Sequence, residues 1–231
     1  MSEQQKAWRS FYLTVISTLL FVSILWLVKL YEVNSGFRLT RFGIYPRAAD
    51  GWGGIFTGPF IHGSWDHLIS NTFPLVVTLV LIFTFYKRVA LSVVVVSWVL
   101  TGFLVWMFAR PSYHIGASGV VYALIAFILG SGLFKRNSLS TMLSLLMLAI
   151  YSSYFVGFQQ EEGVSWESHM LGSAVGLVIA FLLKGVKENF EDYSDTPITE
   201  PVARQYFLPR DTFVKTRYQR WLDQLAGEEE Q

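Results

Sequence analysis

Residues 116–134 read GASGVVYALIAFILGSGLF. An apolar run of this length, free of charge, reads as a membrane helix. It opens on a hydroxyl, Ser118, set between Ala117 and Gly119. From Ser118 to Phe134 a helix rises only about 25 Å, less than a hydrocarbon core of about 30 Å. With its far end at one interface, Ser118 lies beneath the opposite surface. A second short run, His169–Leu183, opens on an imidazole. Reactive groups at membrane depth are costly and tend to be functional. The two runs point to an all-α membrane protein with chemistry at the mouths of its helices.

Four further stretches are long enough to span: Phe11–Leu30, His67–Phe85, Val89–Phe108 and Leu139–Phe155. The expected architecture is a six-transmembrane-helix bundle over residues 11–184, with a long first external loop at 31–66. A short segment, 1–10, precedes it and a polar tail, 185–231, follows. Hydrophobic residues make up 52% of the chain and mean hydropathy is +0.41, an excess concentrated in these runs. The net charge of +1 leaves no basic footprint, so no nucleic acid partner is expected. The absence of cysteine excludes disulfides and thiolate chemistry. The first run ends Lys29-Leu30-Tyr31-Glu32 with no small-residue cleavage site, so it reads as a retained helix.

Basic residues orient the bundle. Lys6 and Arg9 precede the first span, Lys87 and Arg88 follow the second, Lys135 and Arg136 the fourth, Lys184 and Lys187 the sixth. Glu161, Glu162 and Glu167 cluster in the fifth loop. By the positive-inside rule both termini are cytoplasmic. Arg38, Arg41 and Arg47 of the first loop dissent, but long loops weigh little. Spans two, four and six then enter from outside, which brings His67, Asn71, Ser118 and His169 to one depth. The first loop, rich in Gly and aromatics, reads as an interfacial structure with Trp52 and Trp65 at headgroup level. In the tail, Asp211 can cap a helix over 211–226 bearing Val214, Tyr218, Trp221, Leu222 and Leu225 at helical spacing. Two readings stand for it: an amphipathic helix on the inner membrane surface, or one packed on cytoplasmic loops.

The spacing of small residues brings the candidate groups together. His169, Gly172, Gly176 and Ala180 share one face, and Gly119, Ala123, Ala126 and Gly130 form a matching stripe. Such stripes let two backbones approach closely, which carries Ser118 toward His169. A base beside a hydroxyl is the minimum for an activated nucleophile. Gly116 and Gly119 permit a tight turn and expose amides at a helix start, where a developing oxyanion can be held. Position 120 is Val, so this is not the Gly-x-Ser-x-Gly elbow of soluble hydrolases. Tyr122, one turn on, can pack on the imidazole. His67 and Asn71, four apart, project from one face as donors toward a reacting carbonyl oxygen. No acidic residue is expected inside a span. Four histidines with Asp66 and Glu167 nearby invite a metal reading, but the spacing is not His-Glu-x-x-His. No metal and no cofactor are expected.

Three motifs in order resemble the rhomboid intramembrane serine proteases: His62-x4-His67-x3-Asn71, then Gly116-Ala117-Ser118-Gly119 with Tyr122, then His169-x2-Gly172-x3-Gly176. The resemblance runs from the first loop through the sixth span. It implies a Ser118–His169 dyad and an oxyanion site of the Ser118 amide with His67 and Asn71. It implies that Tyr122 stacks on His169, that His62 supports the first loop, and that residues from Tyr154 to Trp166 gate access. The first loop departs from many members. It lacks their Trp-Arg pair and reads Phe42-Gly43-Ile44-Tyr45-Pro46-Arg47, as a subset of bacterial members does. The expected function is endoproteolysis of single-span transmembrane substrates near their outer end, within the lipid bilayer of a bacterial plasma membrane. The alternative is a silent relative that binds membrane helices without cutting them.

Overall fold

The computed structural model describes residues 2–152, 154–159, 165–188 and 214–228. Residues 1–188 form one compact unit and residues 189–231 a second. The first unit holds α1 (Glu3–Ser35), α2 (Gly54–Thr57), α3 (Trp65–Phe85), α4 (Ala90–Phe108), α5 (Ser118–Lys135), α6 (Ser138–Ile150) and α7 (Trp166–Leu182). The second holds α8 (Arg217–Glu228). Among the described residues the β-structure is one isolated antiparallel bridge, Ile44 to His114.

Each expected span is present as a helix; α1 and α6 differ most in extent, and α7 begins three residues before His169, at Trp166. α1 begins well before Phe11, because Ser2 and Gln5 form a reciprocal cap: Gln5 N–H donates to Ser2 Oγ at 3.2 Å and Ser2 N–H to Gln5 Oε1 at 2.9 Å. It ends past Leu30 at Gly36, whose φ of 69° suits glycine. Acids therefore do lie inside the apolar helices: Glu32 in α1, Asp66 in the first turn of α3 and Glu167 in the first turn of α7. Glu32 sits one turn after Lys29, whose Nζ donates to Glu32 Oε2 at 2.8 Å, His62 O at 2.9 Å and Gly63 O at 3.2 Å. Three acceptors match the three hydrogens of a buried ammonium. α6 is shorter than expected and stops at Ile150. Ser152, Ser153 and Gly157 follow, all weak helix formers, and the chain re-forms as a 3₁₀ turn at Tyr154–Phe158.

α5 is the central helix: 56% of its span is buried in the protein, against 17–33% for α1, α3 and α4. Leu124, Phe127 and Ile128 of α5 meet Ile82 of α3, Tyr86 and Val93 in a core sealed from every side. The outer faces stay apolar, with Leu20, Leu27, Leu91, Leu133 and Leu182 exposed. A water-soluble surface does not carry so much contiguous apolar area. Lipid is the solvent that suits it.

The closest packing is between α5 and α7. A Cβ on Gly172 would lie 2.2 Å from Gly119 O, and one on Gly176 only 2.0 Å from Ala123 O. The two helices touch backbone to backbone at these points.

The first loop is an ordered shelf against α4. Trp98 Nε1 donates to Ile55 O at 2.8 Å and Trp106 Nε1 to Ala48 O at 3.0 Å. The Arg47 guanidinium caps the end of α4 through Ala109 O at 2.8 Å and Met107 O at 3.2 Å. At the opposite end of the bundle Arg88 N–H donates to the buried Glu188 carboxylate at 3.1 Å.

In the second unit α8 starts at Arg217, later than the expected 211. Thr216 is its cap: Gln219 N–H donates to Thr216 Oγ1 at 3.3 Å and Thr216 N–H to Gln219 Oε1 at 2.8 Å. Asp211 lies outside the described residues. Tyr218, Trp221, Leu222 and Leu225 of α8 are exposed.

Gly172→Ala and Gly176→Ala should each lower stability by about 1–3 kcal/mol, since the new methyl meets backbone that cannot yield. Gly185→Ala is the control, because its Cβ meets nothing within 4 Å. Thermal midpoints in detergent, with the first two falling and the third unchanged, check this.

Candidate active site

Ser118 is the first residue of α5 and follows Gly116, whose φ is +101°. A side chain at 116 is excluded twice, by that conformation and because its Cβ would lie 2.5 Å from His67 Nε2. The His67 ring thus stands directly against the turn that presents Ser118. Gly116 N–H donates to Gly58 O at 2.9 Å, which ties this turn to the first loop.

His169 lies in the first turns of α7, and its Nε2 is 2.8 Å from Ser118 Oγ. Its Nδ1 is 2.7 Å from Gly157 O. A carbonyl can only accept, so Nδ1 carries the hydrogen and a neutral ring offers its Nε2 lone pair to the hydroxyl. The Tyr122 ring lies flat on the imidazole, with centroids 4.1 Å apart and planes 4° apart. Phe158 also packs against Tyr122, its ring tilted, with centroids 5.7 Å apart.

Ser118, His169, Tyr122, His67 and Asn71 line one polar cavity of about 890 Å³. Asn71 is buried, and its Nδ2 donates to His67 O at 2.8 Å, leaving a second amide hydrogen. His67 and Asn71 line the same cavity as Ser118, which stands at the positive end of a helix. Gly119 and Gly172 sit where α5 and α7 touch, just below the Ser118–His169 pair. His62 does not line the cavity. It is buried behind His67, edge to face at 5.0 Å, and its Nε2 accepts the Ala117 N–H at 3.4 Å. Its imidazole thus braces the residue before Ser118. No group of three or more His, Cys, Asp or Glu side chains suited to a metal occurs among the described residues.

Two participants escaped the sequence reading. Gly157 orients His169 with a backbone oxygen, which no side-chain pattern reveals. Its trace in the sequence is a lone glycine among aromatics, Tyr154-Phe155-Val156-Gly157-Phe158. A Cβ there would lie 1.8 Å from the Tyr122 hydroxyl. The other is Lys29, which holds the carbonyls of His62 and Gly63 just ahead of α3.

Four long apolar helices and two shorter ones, packed around a polar cavity, define an integral membrane protein of all-α build. The chain belongs to the rhomboid family: residues 49–185 match the Rhomboid domain. Its relatives include uncharacterized proteins of Mycobacterium bovis and Mycobacterium tuberculosis, each 35% identical over 71% of this chain and 73% of their own. An uncharacterized protein of Mycobacterium leprae is 31% identical over 73% of this chain and 70% of its own.

Burial, with the His67 ring alongside, pushes the His62 imidazole down to about 4 from its ordinary 6.5. The folded protein therefore keeps His62 neutral while the unfolded chain takes up a proton between those values. Its contribution is full above about pH 6.5 and is lost as pH falls toward 4, on the order of 3 kcal/mol in all. His62→Gln should flatten this part of the stability profile, read as thermal midpoint against pH.

Proposed function

We propose that this chain is an intramembrane serine endopeptidase that cuts transmembrane segments near their outer end. The observation that carries the reading is the Ser118–His169 contact, with the base already turned and stacked beside a polar cavity. Ser118 Oγ attacks the peptide carbonyl carbon as its proton passes to His169 Nε2. The carbonyl π pair moves onto oxygen, held by the Ser118 N–H, His67 and the free Asn71 amide hydrogen. The imidazolium is steadied by the Gly157 oxygen and by the face of Tyr122. The intermediate then expels the amine, which takes the proton from Nε2 and leaves an acyl ester on Ser118. Water, deprotonated by His169, attacks that ester, and Oγ departs with its proton restored.

The substrate backbone must unwind before attack, because a helix in lipid has its amides internally bonded. Single-span substrates with small or helix-weakening residues at the cut are therefore favoured. Access to the site is gated by the segment between α6 and α7. Both termini face the cytoplasm of a bacterial plasma membrane.

Ser118→Ala and His169→Ala should each reduce cleavage of a single-span reporter in liposomes by at least about 10³-fold. Ser118 should take up a fluorophosphonate probe in the wild type. An intact protein that neither labels nor cuts is instead a helix-binding relative. Gly157→Ala should slow labelling about tenfold by forcing Tyr122 away from the base.

The natural absence of cysteine makes topology directly readable. Gly53→Cys should react with an impermeant maleimide from outside and Gly185→Cys from the cytoplasm. Both sites leave a new side chain free space. The reverse pattern overturns the orientation.

A further inference from the structure

Ser118 and His169 are not the first residues at which their two segments meet. Four residues upstream of each, the chains are joined already. His114 Nδ1 and Ser165 Oγ are 2.5 Å apart, and Ser165 Oγ is 2.5 Å from the hydroxyl of Ser168, the residue before His169. His114 Nε2 lies 3.0 Å from Arg110 O. That carbonyl can only accept, so Nε2 carries the hydrogen and Nδ1 takes one from Ser165. Ser165 in turn accepts from Ser168. Burial above all holds the His114 imidazole below its ordinary range, which favours the neutral ring.

The anchor of this chain of bonds is itself fixed. His114 N–H donates to Ile44 O at 2.8 Å, and His114 O accepts from Ile44 N–H at 2.9 Å. The ring therefore extends from a bridge to the first loop. At the far end Ser168 packs against Gly119, next to Ser118, where a Cβ would lie 3.1 Å from that of Ser168. A second cross-link runs alongside, with Arg110 Nε 3.5 Å from Glu167 Oε1. The glycine contacts of α5 and α7 set the helix separation below the site. They leave the rotation of the two helix mouths to whatever joins them above.

We propose that His114, acting through Ser165 and Ser168, is a positioning residue that sets the Ser118–His169 geometry. This rests on the hydrolase reading of that pair. None of the three touches the reacting atoms. Their role is to fix where the first turn of α7 stands relative to the first turn of α5. Small displacements of a reacting pair are enough to slow a reaction about a hundredfold.

The test compares His114→Ala, Ser165→Ala, the double variant and His114→Asn in liposomes. Turnover is expressed per Ser118 titrated with fluorophosphonate, so that loss of folded protein is divided out. The expected result is a kcat about ten- to a hundredfold lower in each alanine variant, with KM unchanged. The double variant should be no slower than the worse single one, because one linkage is broken either way. His114→Asn offers an acceptor oxygen near the Nδ1 position and should recover most of the rate. Wild-type kcat per titrated serine in both alanine variants, or losses that multiply in the double variant, would overturn the proposal. If His114→Ala fails to fold, Ser165→Ala, the removal of one oxygen, decides alone. A wild type that neither cuts nor labels sinks the hydrolase reading and this inference with it. An active wild type beside unaffected variants sinks the positioning role only.

Discussion

The oxygen of Gly119 occupies space that any side chain at position 172 would need, and Ala123 O does the same opposite Gly176. In lipid there is no hydrophobic force to draw helices together, so close backbone contact and dispersion must do it. Glycine at these two positions of α7 makes that contact available. The separation of the two helices follows from it. With α5 and α7 pressed together, their first turns start close to one another, and a hydroxyl and an imidazole meet at 2.8 Å. The same approach makes α5 the innermost helix, walled in by α3, α4, α6 and α7.

A second requirement is that each polar group below the surface find a partner, since unpaired groups are costly to bury. Lys29 does so with two carbonyls and a carboxylate, and in satisfying itself it pins the segment that leads into His67. His62 takes the Ala117 amide, and His114 joins the first loop to α7. Polar groups that satisfy one another behind and beside the cavity are thus also the braces that shape it. The first loop is part of the cavity wall, through Gly63 and Ser64.

The spans were legible because a hydrocarbon layer demands uninterrupted apolar length, and sequence records length directly. The convergence of Ser118, Tyr122 and His169 was legible too, because stripes of small residues predict which helix faces touch. Helix ends were less so. α1 overruns its apolar run at both ends, where the Ser2–Gln5 cap and Gly36 decide, and α6 stops early at Ile150 in favour of a 3₁₀ turn. Lys29 and Glu32 read as the charged end of a span, whereas the continued helix turns them inward as a satisfied pair. His114 belongs to none of the three motifs, and its distance in sequence from Ser165 hides their contact. Gly157 acts through a backbone atom, and every residue has one of those.

The oxygen that aligns His169 is carried by a one-turn connector rather than by a span. Any movement of that connector away from α7 would withdraw the acceptor from Nδ1. What then keeps the imidazole from swivelling is the flat aromatic surface beneath it. The resting and the displaced connector would accordingly hold the same ring by different means, the first polar and the second largely dispersive.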